Sequence, residues 1–333
     1  MVSLARGTGI TVVMPSRSAL LIAGQNVLQP RSPAEHSISV LGWVMFIVAS
    51  IGLLLVAVLL VLGWARRRSA SLPFGGGERG ATRLVIGLGI AMPIVLLTAL
   101  FLWSDIFVIR STAAPRQGST AITVQVIGHQ WFWEIRYPGG DAVTANELHI
   151  PVRTRVNVVG TTADVIHSLW VPELNRKVDL IPGRANRMLL YADRAGTYPG
   201  QCAEFCGLQH AHMELLVIAQ PRAQFEQWLR GESASARPAT GAGAHLGESE
   251  FLSEGCADCH QIRGAPAKGQ VGPDLTHLAS RRTLAAATIP NDRISLTEWL
   301  RDPQKVKPGN KMPQVQLSAG DIAALVAYLE ELK

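Results

Sequence analysis

The stretch CAEFCGLQHAHM, residues 202–213, decides the fold of the central part of this 333-residue chain. It places two thiols, two imidazoles and a thioether close together in sequence, and His167 lies upstream. Cys and Met sulfur select soft metals, and this ligand set is typical of electron-transfer copper rather than structural zinc. Two cysteines can each bridge two copper ions, so one electron is shared and little geometry changes on reduction. The stretch therefore predicts an electron-transfer copper centre.

A disulfide is the alternative for the first cysteine pair. Cys202 and Cys206 could close a small ring, which is the usual fate of an extracellular Cys pair. That interpretation leaves His210 and Met213 at ligand spacing without a reason. The spacing alone does not choose between His210 and His212 as the second imidazole ligand.

The other two cysteines, Cys256 and Cys259, lie in CADCH, the signature of covalent c-type haem attachment. Their thiols add across the haem vinyl groups, and His260 is then placed as the proximal iron ligand. Met312 is the predicted ligand on the other face, because His/Met ligation is the usual arrangement in cytochromes c. His277 stays open as an alternative. No second Cys pair remains to complete a zinc site.

Two uncharged runs precede these motifs. Neither the run from Ser37 to Ala65 nor that from Leu84 to Ser104 has a charged residue, and each exceeds the roughly 20 apolar residues that span a bilayer core. We predict transmembrane helices at about 39–65 and 84–104, in a hairpin over residues 37–105. The arginine cluster that begins at Arg66 places the short loop in the cytoplasm and both termini outside.

The tail before the hairpin, residues 1–36, is open to two interpretations. Arg6 and Arg17 precede a short apolar stretch, residues 19–23, which is typical of a weak signal-peptide core. A disordered extracellular tail is the alternative. The net charge of +6 partly reflects the arginine loop, and we find no nucleic-acid-binding motif.

The residues after the hairpin divide into three further parts. Residues 116–230 alternate apolar and polar side chains between Pro and Gly turns, as at Ile122, Val124 and Val126, and predict a β-sandwich with a short closing helix. Residues 231–247 are rich in Gly, Ala and Ser and predict a flexible linker. Residues 248–333 predict a small helical domain around haem, whose last helix opens with a Ser-x-x-Asp cap at Ser318.

Taken in this order, the motifs resemble subunit II of a haem–copper cytochrome c oxidase that has a cytochrome c domain fused to its C-terminus. The resemblance covers nearly everything after Gly24 and also rests on GHQWFW (128–133), HSLWVP (167–172), KVD (177–179) and GPDL (272–275). It implies a multi-domain membrane protein. The implied parts are a two-helix transmembrane hairpin, a cupredoxin-like β-sandwich and an all-α class I cytochrome c domain.

The resemblance also implies roles for individual residues. It makes the ligands of a binuclear CuA centre His167, Cys202, Cys206, His210 and Met213, with Glu204 adding its backbone carbonyl. It favours His210 over His212, and it gives the Glu204 carboxylate a second role in holding magnesium at the contact with subunit I. Trp131 matches the tryptophan at which electrons enter toward the copper.

Other residues are candidates for holding the ligands of the two sites in place. Asp164 is a candidate for orienting His167, with the capping of a turn as its other interpretation. Pro273 resembles the residue whose carbonyl orients the proximal imidazole. Arg281 and Trp299 are candidates for binding a haem propionate, but an exposed side chain is favoured for Arg281 and for Arg282.

The function that the resemblance implies is electron transfer in a terminal respiratory oxidase of the bacterial cell membrane. Electrons from cytochrome c or the bc complex would reach haem c, the copper centre and then haem a of subunit I, where oxygen reduction to water is coupled to proton translocation. Subunit III and the lipid bilayer are further expected partners. The alternative is a membrane-anchored cytochrome and copper carrier outside any oxidase.

Overall fold

The computed structural model describes residues 25–26, 28–66, 77–116, 118–139 and 141–333. Two helical runs in this part of the chain are long and apolar enough to span a membrane. The first is α1, Pro33–Arg66. The second consists of α2 (Gly77–Ile86), α3 (Met92–Trp103) and α4 (Arg110–Thr112), with π-helical turns at Gly87–Ala91 and Ser104–Ile109.

Both helical runs extend beyond the bounds predicted from the uncharged runs, 39–65 and 84–104. The residues just before α1 are bonded to the β-sandwich, since Arg31 N donates to Glu173 O at 3.0 Å and Ser32 Oγ donates to Leu174 O. The end of the second run packs beside the start of α1. Arg66 and Gly77, which end the first run and begin the second, therefore lie at the ends far from the sandwich. The loop between them, residues 67–76, and residues 1–24 and 27 of the predicted tail (1–36) lie outside the described residues.

Two five-stranded sheets follow, in the order β3-β2-β1-β5-β8 and β4-β10-β9-β6-β7. The strands are β1 (Ile122–His129), β2 (Phe132–Arg136), β3 (Val143–Ala145), β4 (Glu147–Pro151), β5 (Val156–Thr162), β6 (His167–Val171), β7 (Asn175–Leu180), β8 (Asn186–Leu190), β9 (Gly196–Cys202) and β10 (Glu214–Gln220). Pairing is antiparallel except between β1 and β5 and between β4 and β10. This confirms the predicted cupredoxin-like sandwich.

The core of the sandwich comes from the alternation that the sequence shows. Val124, Val126, Trp133 and Ile135 are fully buried between the sheets, while their neighbours along each strand are partly exposed. Burying such large apolar side chains contributes about 1.5–3 kcal/mol each. The closing helix α5, Arg222–Glu232, covers one edge of this core.

The last domain is mostly helical. Its helices are α6 (Ala242–Ser253), α7 (Cys256–Cys259), α8 (Arg293–Arg301), α9 (Pro303–Val306) and α10 (Ala319–Leu329). Short antiparallel ladders also join β11 (Gln261–Ile262) to β12 (Ala267–Lys268) and β13 (Thr283–Leu284) to β14 (Ile289–Pro290), so the domain is not purely α-helical.

Helices α6 and α10 cross closely at a glycine. A Cβ atom on Gly247 would lie 2.0 Å from the Ala324 carbonyl oxygen, so no side chain fits there. Phe251 and Tyr328 meet beside this crossing, with ring centroids 5.9 Å apart. Ser318 caps α10 in a capping box with Asp321, as the Ser-x-x-Asp pattern predicts.

The predicted linker, residues 231–247, differs from the structure. Helix α5 continues to Glu232 and α6 begins at Ala242, because alanine favours helix strongly and outweighs the glycines near it. The residues between, 233–241, are bonded to the last domain. Ala236 N donates to Arg263 O at 2.8 Å, and Thr240 N donates to Glu331 Oε2 at 2.8 Å.

The helical domain packs on the outer face of the β4-β10-β9 sheet. Strand β10 is buried on both faces, and Ala287 covers Leu216 and Ile218 on the side away from the sandwich core. Nearby, the buried Glu147 carboxylate accepts hydrogen bonds from the backbone N–H groups of Arg282 at 2.6 Å and Thr283 at 3.2 Å. These contacts set the position of the haem motif relative to the copper motif.

Candidate metal and haem sites

Strand ends bring the predicted copper ligands together. His167 begins β6, Cys202 ends β9, and Met213 immediately precedes β10. Strands β6 and β9 are antiparallel neighbours, and so are β9 and β10, so these strand ends meet at one end of the sandwich. His210 lies on a short 3₁₀ turn between β9 and β10.

The two thiols lie at the centre of this cluster. Cys202 Sγ and Cys206 Sγ are both buried and 3.8 Å apart, far beyond the bond length of about 2.05 Å in a disulfide. Cys202 Sγ lies 3.8 Å from His167 Nδ1 and 3.2 Å from the Glu204 carbonyl oxygen. The ligand atoms of His167, Cys202 and Cys206 all lie within 4.8 Å of one another, as one metal site requires.

The second thiol has its own pair of neighbours. Cys206 Sγ lies 3.6 Å from His210 Nδ1 and 3.8 Å from Met213 Sδ, and Met213 is fully buried. The ring of His210, rather than that of His212, is therefore the one beside the thiols. Each thiol has one imidazole within 3.8 Å, so the cluster would offer two thiolates and two imidazoles to a metal centre.

Hydrogen bonds shift the pKa values of the groups in this cluster. The hydrogen bond from Cys206 lowers the pKa of the Cys202 thiol, and the same interaction raises the pKa of Cys206. Burial lowers the pKa of His167, but its contacts with Cys202 and Asp164 outweigh burial and raise it. Binding of a metal requires the thiolate form of a cysteine, and the contacts of Cys202 favour that form.

Asp164 contacts the outer nitrogen of a predicted ligand. Its Oδ1 lies 3.0 Å from His167 Nε2, and its Oδ2 accepts from Gln130 N at 2.7 Å. It also accepts from Val165 N at 2.8 Å, so it caps a turn as well. Both interpretations of Asp164 from the sequence are therefore compatible with the structure.

The residues of the haem motif line a large cavity in the last domain. Cys256 and Cys259 on α7, His260 and Met312 all face this cavity. Its apolar wall is formed largely by leucines, namely Leu275, Leu278, Leu284, Leu296, Leu300, Leu325 and Leu329. An apolar cavity with two thiols at its edge fits a covalently attached macrocycle.

The proximal imidazole is held in one orientation. His260 Nδ1 lies 2.8 Å from the Pro273 carbonyl oxygen, which only accepts, so Nδ1 carries the proton and Nε2 is a free base. Burial lowers the pKa of His260, which also favours the neutral ring. A Cβ atom on Gly272 would lie 2.5 Å from His260 Cε1, so the glycine leaves room for the ring.

The structure separates the two alternatives for the second axial ligand. Met312 lines the cavity, and its loop is held by Gln304, whose Nε2 donates to Met312 O at 2.9 Å. His277 is buried, and its Nε2 lies 3.0 Å from the Ala234 carbonyl oxygen. The His277 ring already contacts the segment that leads into the domain, so Met312 is favoured as the second axial ligand.

The favoured interpretation of Arg281 as an exposed side chain is wrong. Arg281 is buried and lines the haem cavity; it donates from Nη2 to Asp274 O, and its Nε has no partner among the described residues. Residues far apart in sequence enclose Arg281, so the residues next to it in the chain did not indicate that it is buried. A buried cation with a free donor fits a haem propionate. Arg282 is exposed, as predicted.

Trp131 lies between the two sites. Its Nε1 donates to the Cys206 carbonyl oxygen at 3.0 Å, and Gln130 Nε2 donates to the same oxygen at 2.7 Å. Trp131 also lines the haem cavity of the other domain. The neighbouring Trp133 is fully buried in the sandwich, with its ring centroid 5.9 Å from that of His167.

Glu204 contributes its carbonyl oxygen to the copper cluster while its side chain is exposed. In the part of the chain that the structure describes, no further imidazole or carboxylate joins that side chain in a ligand cluster. A magnesium site at Glu204 therefore needs ligands from another chain.

Two contacts were missed from the sequence. Lys307 is buried at the junction of the domains, and Glu147 binds backbone N–H groups of the helical domain. Single lysines and glutamates carry no local signal for such roles, because Glu147 contacts Arg282, 135 residues away, and Lys307 contacts Trp131, 176 residues away.

Comparison with known proteins agrees with this geometry. Residues 141–220 match the family model of the cytochrome c oxidase subunit II periplasmic domain, and residues 244–333 match that of cytochrome c. Cytochrome c oxidase subunit 2 of Alkalihalophilus pseudofirmus is 34% identical over 253 residues, which cover 76% of this chain and 72% of that protein. The subunit 2 of Bacillus sp. strain PS3 is 32% identical over 262 residues, with 75% and 72% covered.

A partial match occurs among solved structures. The crystal structure of the periplasmic domain of subunit II of cytochrome oxidase from Bradyrhizobium japonicum is 29% identical. The match covers 37% of this chain and 100% of that one, with a TM-score of 0.33.

Proposed function

The chain belongs to the cytochrome c oxidase subunit 2 family, and from this premise we propose that it carries electrons from an external donor to the oxidase through a haem c and a binuclear copper centre. The observation that carries the proposal is the position of Trp131. It lines the haem cavity and donates a hydrogen bond to the Cys206 carbonyl oxygen. One side chain thus touches both sites.

The donor set supports copper at the first site. We assign the ligands to His167, Cys202, Cys206, His210 and Met213, with the carbonyl oxygen of Glu204. Two thiolates, two imidazoles and a thioether suit copper and not a hard cation. When bound, the copper pair supplies a one-electron acceptor. Asp164 holds His167 through a contact of 3.0 Å and so restricts its ring.

The cavity of the second domain supports covalent haem. We assign the thioether bonds to Cys256 and Cys259 and the axial positions to His260 and Met312. Pro273 orients His260 through the contact of 2.8 Å between Nδ1 and the carbonyl oxygen. Arg281 lines the cavity and has a buried Nε without a partner among the described residues. This N–H group is available to donate a hydrogen bond to a haem propionate.

The expected electron path runs through Trp131 and the backbone of Cys206. An indole between the two sites shortens the gap that an electron must cross through space, and the hydrogen bond of 3.0 Å joins the indole to the backbone of a copper ligand. Electrons leave toward haem a of subunit I, in which oxygen is reduced. This oxidase role agrees with the family and is favoured over a free-standing carrier.

Replacing Trp131 with phenylalanine tests this path. Phenylalanine keeps an aromatic ring but removes the N–H donor and the larger indole, so transfer from haem c to copper should slow by about tenfold or more because the path is misaligned. The measurement is transient reduction of haem c followed by the optical signals of both sites. The matched control is Trp228→Phe, on α5, which should leave the rate unchanged. An unchanged rate in Trp131→Phe, with both chromophores intact, would contradict the path.

The helical hairpin supports a membrane anchor with the folded domains on the outer side. The start of α1 and the end of the second helical run lie beside the sandwich, so Arg66 and Gly77, which flank the loop between the runs, are at the far ends. We place that loop in the cytoplasm by the positive-inside rule. The anchor is accordingly in a bacterial cell membrane, with the sandwich and the haem domain on the periplasmic or extracellular side.

The surface around the copper site supports contact with another oxidase subunit. Phe205 is 77% exposed and Ile166 is 44% exposed, although each stands next to a copper-ligand segment. Exposed apolar side chains grouped at a redox site are typical of a docking surface. We propose that subunit I covers it, with magnesium between that subunit and Glu204, and that subunit III and cytochrome c or the bc complex are further partners.

A further inference from the structure

A buried lysine connects the haem domain to the sandwich. Lys307 follows α9 and is 2% exposed. Its Nζ donates to three backbone carbonyl oxygens, those of Trp131 at 3.1 Å, His212 at 2.8 Å and Ala285 at 3.1 Å. An ammonium group has three donors, so all of them are satisfied. Only the Ala285 carbonyl belongs to the haem domain.

The hydrogen bonds of Lys307 depend on contact between the domains. Burying an ammonium group is costly unless its donors are paired, and no carboxylate forms a salt bridge with Lys307 in the described part of the chain. Two of its three acceptors belong to the sandwich. Separation of the domains removes both of these acceptors, so the lysine favours the docked arrangement.

The position of Lys307 links both redox sites. One acceptor is the backbone of Trp131, and another, His212, directly precedes the copper-ligand residue Met213. On the haem side, the next residue, Pro308, accepts a hydrogen bond from Gln209 Nε2. The same segment leads to Met312, which lines the haem cavity. A shift of Lys307 therefore moves the part of the cavity wall that carries Met312 relative to Trp131.

The third acceptor lies on an unusual loop. Ala285, Ala286 and Ala287 have φ values of 52°, 58° and 61°, in the left-handed region that residues with a side chain rarely adopt. Such a backbone persists only where its surroundings hold it. Here Glu214 N donates to Ala286 O at 3.3 Å, and Ala287 packs on Leu216. The sandwich and Lys307 together hold this loop in place.

We propose that Lys307 is a positioning residue that locks the haem domain onto the sandwich, so that transfer to copper occurs in a docked arrangement and not after a domain swing. The inference rests on the proposed function. It extends that function because the contact between the domains at Lys307, and not the linker alone, sets the geometry for electron transfer from haem c to copper.

The test compares Lys307→Met with Lys305→Met in the full chain loaded with haem and copper. Lys305 is exposed on the same short helix, so its replacement removes the same charge without touching the junction. Burial lowers the pKa of Lys307 to about 7, so the comparison is made at pH 6, where the ammonium keeps its three protons. The readouts are amide hydrogen exchange at Glu214, Arg282 and Thr283, and the rate of transfer from haem c to copper.

Lys307→Met should speed exchange at these amides by about 100-fold, since two charge-assisted interdomain bonds are lost. Internal transfer should slow by about tenfold or more, with both optical spectra unchanged. Lys305→Met should match the unmodified chain. Exchange and transfer in Lys307→Met equal to those of the control would overturn the proposal.

A second variant keeps the test decisive if Lys307→Met does not retain both cofactors. Lys307→Gln keeps two N–H donors and should show exchange between that of the unmodified chain and that expected for the methionine variant. Exchange equal to that of Lys305→Met would overturn the proposal here too. Lack of copper or haem in the unmodified chain would contradict the proposed function instead, and hydrogen exchange would still decide the docking role of Lys307.

Discussion

Replacing Cys206 with serine should abolish the copper centre and leave the haem spectrum intact. Cys206 Sγ has three ligand neighbours, at 3.8 Å from Cys202 Sγ, 3.6 Å from His210 Nδ1 and 3.8 Å from Met213 Sδ. Serine offers a hard oxygen and no bridging thiolate, so the soft ions lose the atom that joins them. In the assembled oxidase, haem c should then become reduced and remain so, because its acceptor is gone.

Metal analysis and electron paramagnetic resonance measure this effect. The binuclear signal should disappear, and bound copper should fall from two equivalents to one or none. His212→Gln is the matched control, because its ring is not the one beside the thiols and its backbone contact with Lys307 is kept. A binuclear signal that survives in Cys206→Ser, or one that is lost in His212→Gln, would contradict the ligand assignment.

Removing both haem-attachment cysteines should unfold the last domain and leave the sandwich folded. The double variant Cys256→Ala and Cys259→Ala cannot retain haem covalently, and the leucine-lined cavity then faces water. Burial of a leucine side chain contributes about 1.5–3 kcal/mol, and each leucine of the cavity wall loses part of this stabilisation when haem is absent. A few such losses equal the whole stability of a small domain, about 5–15 kcal/mol.

Limited proteolysis of the full chain measures this second effect. Cleavage should concentrate in residues 233–333, while the sandwich stays resistant and binds copper. Ser253→Ala, a replacement on α6 outside the haem cavity, serves as the control and should leave cleavage unchanged. A double variant whose last domain resists protease as well as the control does would show that the leucine core is stable without the macrocycle.

The two redox motifs were predictable because their chemistry is local. Cys202 and Cys206 are four positions apart, and the strands on either side hold them at one end of the sandwich. The haem cysteines lie on one short helix, followed directly by His260. Spacing alone left His210 and His212 open, and the family resemblance favoured His210. The structure supports that choice by a contact of 3.6 Å between His210 Nδ1 and Cys206 Sγ.

The junction between the domains was not predictable in this way. Glu147 and Lys307 are buried by partners remote in sequence, and nothing near either residue marks it. Composition also misled at residues 231–247, where Gly, Ala and Ser suggested a flexible linker. The structure has helices at both ends of that segment, and residues 233–241 are bonded to the haem domain.

The docked arrangement changes what the linker has to do. A flexible tether would act by raising the effective concentration of haem near copper. Here the contacts of Lys307, Glu147 and Ala287 hold one orientation, so the tether restricts a domain that is already bound. Salt should therefore affect delivery of electrons by an external donor more than the internal step, whose charged contacts are buried.

The most direct measurement is the electron paramagnetic resonance spectrum of the full chain, purified with its haem and copper, together with metal analysis and the optical spectrum. The account predicts copper hyperfine structure from one electron shared equally by two nuclei, and a haem c spectrum with the charge-transfer band of Met sulfur. A folded, copper-exposed chain with haem but no shared-electron signal would contradict the account, because it would leave a tethered cytochrome without its copper acceptor.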